Sequence, residues 1–213
     1  MLRINIGCGR SPTNGWLNFD NSLAIKLSKY PSITFILKAL NLLNEEQIKN
    51  IEWNRKNKIS FANASKKLPF KNDSVDVIYS SHMLEHLSRS EARNFISEAR
   101  RSLANGGILR ISVPDLRKLV DRYVENSNAD AFIDATLLAD VKLNSIKDKL
   151  KLLIIGFRHH QWMYDEKSLS NLLLDCGFTQ IFVLDPGITK IKNHNGLNLY
   201  ERSDESIYVE AIK

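Results

Sequence analysis

Two groups of residues carry chemistry. In the first, the run Ile4-Asn5-Ile6 ends in Gly7-Cys8-Gly9. Two glycines one residue apart let the backbone turn tightly and approach a ligand closely. Asp20 ends the next apolar run, where a carboxylate can accept hydrogen bonds from the ribose hydroxyls of an adenosine. Asn63, followed by Ala64, is expected either to pair with an adenine amino group or to close a simple Asx-turn. Ser80 and Ser81 are expected at the mouth of the same pocket. The second group is suited to moving a proton. His82, Asp115 and His160 are the candidate catalytic groups, and histidine titrates near neutral pH. His159 and Tyr164 are the candidate substrate contacts. No metal is expected, because the adjacent His159 and His160 would point apart on a regular helix or strand. Glu85 and His86 read as fixing the start of the helix that follows them.

The elements that must position these groups alternate. Strands are expected at residues 2–6, 16–20, 59–62, 75–79, 107–113, 178–184 and 206–212. Helical stretches are expected within 21–58, at 89–103, through most of 116–157 and at 165–176. Asn105-Gly106-Gly107 is expected to stop the helix at 89–103. The alternation implies a mostly parallel sheet covered on both faces, with ligands outside the carboxyl ends of its strands. No helix fits between the last two strands, which are expected to be antiparallel. The gap from Gly9 to Asp20 is too short for a full first helix. The whole chain, 1–213, reads as one domain, with 116–164 as a helical insert over the acceptor side or, alternatively, a dimer surface.

Five segments in this order resemble the class I S-adenosylmethionine (SAM)-dependent methyltransferases. They are INIGCG, GWLNFD, LPFKNDSVDVIYSSHMLEHL, GGILRISVPDL and HHQWMYDEKSLSNLLLDCGF. Within that class the chain is most similar to small methyltransferases associated with polysaccharide and lipopolysaccharide biosynthesis. The resemblance implies a Rossmann-like three-layer sandwich: a mostly parallel seven-stranded sheet with an antiparallel last strand and a helical insert after strand five. It implies SAM as cofactor and S-adenosylhomocysteine as product. Gly7, Cys8 and Gly9 would wrap the methionyl part and Asp20 would hold the ribose. Asn63 and Ala64 would flank the adenine, and Ser80 or Ser81 would touch the cofactor near its sulfur. Three departures stand out: Ser11 where the wider class often has a third glycine, Asn63 in place of a carboxylate, and the shortened link before Asp20. The expected acceptor is a small molecule, a sugar or sugar-nucleotide among the candidates.

Composition narrows the alternatives. The net charge is +6, from 30 basic and 24 acidic residues, but the basic residues are scattered rather than gathered into a nucleic-acid footprint. Two cysteines without CxxC spacing fit a reducing cytoplasm better than a disulfide framework. No apolar run is long enough to span a bilayer. A monomer or homodimer is expected. A nicotinamide oxidoreductase would want a third glycine where Pro12 stands. The His82-Met83-Leu84-Glu85-His86 pattern matches a short zinc-peptidase motif, but its surroundings are wrong for one. A non-catalytic SAM-binding protein of the same fold is the remaining alternative.

Overall fold

The computed structural model describes residues 1–138 and 159–213. Its strands are β1 (Arg3–Ile6), β2 (Leu17–Asp20), β3 (Ser60–Phe61), β4 (Val75–Ser81), β5 (Leu103–Pro114), β6 (Gln180–Leu184) and β7 (Ser206–Ile212). They form one seven-stranded sheet in the order β3-β2-β1-β4-β5-β7-β6. The first five strands pair in parallel, and β7 runs antiparallel to both β5 and β6. This is the expected Rossmann-like architecture. The strand order turns back between β1 and β4, so a crevice opens at their carboxyl ends.

The helices are α1 (Leu23–Ser28), α2 (Pro31–Ala39), α3 (Glu45–Lys56), α4 (Arg89–Ser102), α5 (Leu116–Asn126), α6 (Ala129–Thr136) and α7 (Glu166–Asp175). A single 3-10 turn covers Leu84–His86. Helix α4 shows why the sequence takes this form. Ser88 and Glu91 close a capping box at its start. Ala92, Phe95, Ile96 and Ala99 then form one apolar stripe, and all are buried. With Leu169, Leu172 and Leu173 of α7, that stripe packs on Ile4, Ile6, Ile78, Leu109, Ile111, Val209 and Ala211 of the sheet. The helix ends at Ser102, earlier than the glycine pair had implied. Leu103 leaves it in an extended conformation, pairs with Val75 and is buried in the core. Gly106 and Gly107 instead pair with the main chain of Lys213.

The opposite face is covered differently. Residues 7–16, between β1 and β2, hold no helix. The link between β6 and β7, residues 185–205, lies across the uncovered strands as a strap. Its Ile191, Leu197 and Leu199 pack with Trp16, Val77 and Tyr79. Arg3 donates to the carbonyls of Lys192 and Asn193, and the Trp16 indole donates to Asn195 O at 3.3 Å. Farther along, Arg110 and Glu210 face each other across β5 and β7, both 0% exposed, with Nη1 to Oε1 at 2.6 Å. Glu210 also accepts from Thr189 Oγ1 and Lys190 N, while Arg110 donates to Ile188 O. A buried ion pair survives desolvation better when further hydrogen bonds support it, and here the strap supplies three, leaving Nε and Nη2 of Arg110 without a partner among the described residues.

After β5, helices α5 and α6 begin the insert, with Tyr123 and Phe132 in contact between them. The part of the expected insert at 139–158 lies outside the described residues. No helix among the described residues is long and apolar enough to cross a membrane.

Candidate functional site

The carboxyl ends of β1 and β2 meet at the glycine turn. Gly7 N and Cys8 N both donate to Phe19 O, at 2.8 and 3.1 Å, which ties the turn to β2. Gly7 has φ +74° and Gly9 φ +49°, the left-handed region that glycine enters freely. A Cβ at Gly7 would overlap Cβ and Cγ of Met83, so this glycine also admits the chain that follows β4. Asp20 faces the turn. Its Oδ2 accepts from Gly9 N at 3.1 Å and its Oδ1 from Ser22 N at 2.9 Å. Those two bonds fix the plane of the carboxylate and leave lone pairs on both oxygens for a ligand.

A groove of about 530 Å³ opens beside this pair. Gly7, Gly9, Asp20, Asn63, Ala64 and His82 all line it, so the structure gathers six of the expected site residues around one cavity. Asn63 closes the Asx-turn, because its Oδ1 accepts from Ser65 N and Ser65 Oγ, both at 2.9 Å. Its side-chain NH2 is therefore the group left for a ligand. Cys8 differs from its neighbours. Its side chain packs with Ile25 and Ile59 away from the groove, and burial, aided by Asp20, pushes the thiol up to about 12. Ser80 is buried and does not line the groove. Ser81 lines a second cavity of about 150 Å³ behind the glycine turn, with His82, Arg10, Glu201 and Arg202.

His82 touches both cavities. Its φ of +48° is unusual for a residue with a side chain. His82 N donates to Ser112 O at 2.9 Å, its Nε2 lies 2.9 Å from Ser206 Oγ, and its Nδ1 lies 3.3 Å from Glu85 Oε1. The remaining candidates do not line the groove. Asp115 caps α5 by accepting from Arg117 N, and forms an isolated parallel bridge with Tyr164. Tyr164 is fully buried in the main core. Burial raises its phenol above the ordinary value. His159 supplies its carbonyl to the His86 Nδ1–H at 3.0 Å. The His160 Nδ1–H donates to Thr136 O at 2.7 Å. Burial lowers the His160 imidazole below its usual value, against the opposing pull of Glu85.

Sequence reasoning missed several residues here. Met83, His86, Glu91 and Gln161 also line the groove. Glu85 and His86 do not fix the helix start, since Ser88 and Glu91 do that. Glu85 is 1% exposed, and neither carboxylate oxygen has a hydrogen-bond partner among the described residues. Main-chain bonds from Gln161 N and Trp162 N to Glu85 O, and a side-chain bond from Gln161 Nε2 to His86 O, lock the 159–162 segment onto the 3-10 turn. The signal was the pairing of HMLEH with the later HHQW, but no local periodicity joins them.

Comparisons with known proteins agree with this architecture. The family model described as "Methyltransferase domain" matches residues 4–111. No curated protein matches the chain. Among solved structures, a SAM-dependent methyltransferase from Thermotoga maritima is similar with TM-score 0.52 and 14% identity, covering 100% of this chain and 82% of that one. One from Archaeoglobus fulgidus has TM-score 0.52 and 15% identity, covering 100% and 86%. One from Methanosarcina mazei has TM-score 0.52 and 18% identity, covering 99% and 91%. At such identities the likeness is one of fold.

Proposed function

Because this chain belongs to the methyltransferase-domain family, we propose that it binds SAM in the groove at the ends of β1 and β2 and methylates a sugar or sugar-nucleotide. The observation that carries this reading is the pairing of Gly9 N with Asp20 at the groove edge. Bound SAM supplies an activated methyl on a sulfonium. The protein's task is then alignment, which can be worth about 7–11 kcal/mol.

Asp20 holds the ribose hydroxyls through its free lone pairs. Gly7 and Gly9 let the main chain lie against the methionyl part. Asn63 and Ala64 flank the adenine, with the Asn63 NH2 as donor to a ring nitrogen. His82, reached from both cavities, is the general base for an acceptor hydroxyl. Ser206 Oγ orients its ring. Arg10 and Arg202 beside the second cavity support an anionic acceptor such as a phosphorylated or nucleotide-linked sugar. Asp115 and Tyr164, bridged main chain to main chain, hold the two ends of the 116–164 insert together. The 116–164 insert is the segment we assign to acceptor recognition. Two free cysteines support a reducing compartment such as the cytoplasm.

Isothermal titration with S-adenosylhomocysteine tests the reading. Tight binding is expected, with Asp20→Ala weakening it about 10- to 100-fold, the value of a charge-assisted hydrogen bond or two. Equal affinity in that variant, or a preference for NAD over SAM in a thermal-shift comparison, would overturn it. His82→Asn, which tolerates a left-handed backbone, is expected to keep cofactor affinity within a few-fold. Its turnover should fall roughly 10²–10⁴-fold.

A further inference from the structure

A buried carboxylate without a hydrogen-bond partner is costly, and Glu85 has two such oxygens among the described residues. Three imidazoles stand beside it: His82, with Nδ1 3.3 Å from Glu85 Oε1, and His86 and His160. One ligand atom from each of Glu85, His86 and His160 falls within 4.8 Å of the others. His160 Nε2 is 3.9 Å from Glu85 Oε1, and the His86 and His160 rings meet edge to face at 5.1 Å.

The tautomers follow from the partners. A carbonyl oxygen only accepts, so both Nδ1 atoms must carry hydrogen: His86 toward His159 O and His160 toward Thr136 O. In a neutral ring the lone pair is then on Nε2. The His160 Nε2 lone pair, 3.9 Å from Glu85 Oε1 and with a His86 ring nitrogen close by, is repelled by the carboxylate. Something positive belongs between them. An imidazole that donates its other N–H to a backbone carbonyl is also the arrangement that orients a histidine toward a metal.

We propose that Glu85, His86 and His160 form a binding site for one divalent transition-metal ion. Two imidazole nitrogens and one carboxylate suit zinc, cobalt, manganese or ferrous iron, and three protein ligands leave at least one position open. His86 lines the groove, so the open position faces the bound ligands. The set uses His86 with the distant His160, not the His82 and His86 of the short peptidase pattern. On the methyl-transfer reading, the open position takes an acceptor hydroxyl. The hydroxyl loses its proton to His82, the oxygen–methyl bond forms as the carbon–sulfur bond breaks, and the metal keeps its oxidation state.

The test uses the full chain stripped with EDTA and titrated with cobalt(II), followed by its visible absorption and by melting temperature. S-adenosylhomocysteine affinity is measured on the same sample. Saturation at one equivalent is expected, displaced by zinc. Glu85→Gln and His160→Ala should each weaken it by at least about tenfold, the lower end of what loss of even an outer partner of a metal site costs. Circular dichroism checks that each variant is folded, and His160→Asn replaces either one that is not. Failure to saturate, or saturation untouched by these substitutions, would overturn the site. Cobalt failing while S-adenosylhomocysteine binds sinks only the metal. The reverse result sinks the methyl-transfer reading and leaves the metal standing.

Discussion

The two glycines of the first turn sit in different surroundings, and substitution should tell them apart. Gly9 has left-handed backbone but open space around a would-be Cβ. Gly9→Ala is therefore expected to cost only about 1–2 kcal/mol of stability, from the backbone alone. Gly7→Ala adds an overlap with Met83 close to its main chain, and should cost roughly 2–5 kcal/mol and reduce cofactor binding. Urea unfolding of both variants checks the order, and equal losses would contradict it. Residues whose role is set by near neighbours were legible in the sequence. Gly7, Gly9 and Asp20 each end a short apolar run, and the chain order of those runs was enough to bring them together. The cluster of Glu85, His86 and His160 was not legible, because the bonds that align it join positions far apart, 73 from His86 to His159 and 24 from His160 to Thr136. From sequence, Asn63 fits a turn and a ligand contact equally. Its oxygen closes the turn while its amide nitrogen stays in the groove.

Among elements, the strap at 185–205 carries the clearest prediction. Arg110 and Glu210 are fully buried, and Nε and Nη2 of Arg110 find no partner among the described residues. Arg110→Met alone leaves a buried charge behind and is expected to cost about 3–5 kcal/mol. Arg110→Met with Glu210→Leu should recover most of that loss, measured by urea unfolding, since an apolar pair needs no completion. A double variant as unstable as the single one would contradict the account. Helix α4 was readable because its buried residues repeat at one spacing. The strap was not, because Ile191, Leu197 and Leu199 follow neither the helical nor the strand period. Its role appears only once the sheet face left bare by the short β1–β2 link is known. The end of α4 was misplaced for a similar reason, since pairing of Leu103 with Val75 overrides the stop signal of the glycines.

For the molecule as a whole, alkaline pH is the expected weak point. Burial raises the Cys8 thiol from 9.0 to about 12, and raises the phenols of Tyr79, Tyr164 and Tyr208 as well. The folded state then holds protons that the unfolded state releases, so stability falls as pH rises from about 9 toward about 12. Melting temperature against pH should show that decline, with Cys8→Ala removing about one proton's worth of the slope. In the native protein at pH 8, thiol reagents should modify Cys176 well before Cys8, which is buried. The strap has one more consequence, for the order of events during synthesis. Trp16 and Tyr79 leave the ribosome more than a hundred residues before the segment that covers them, Ile191 to Leu199. The nascent amino-terminal half must wait with an oily flank bare, and a ribosome stalled before those codons would display a chaperone target in place of a finished nucleotide pocket.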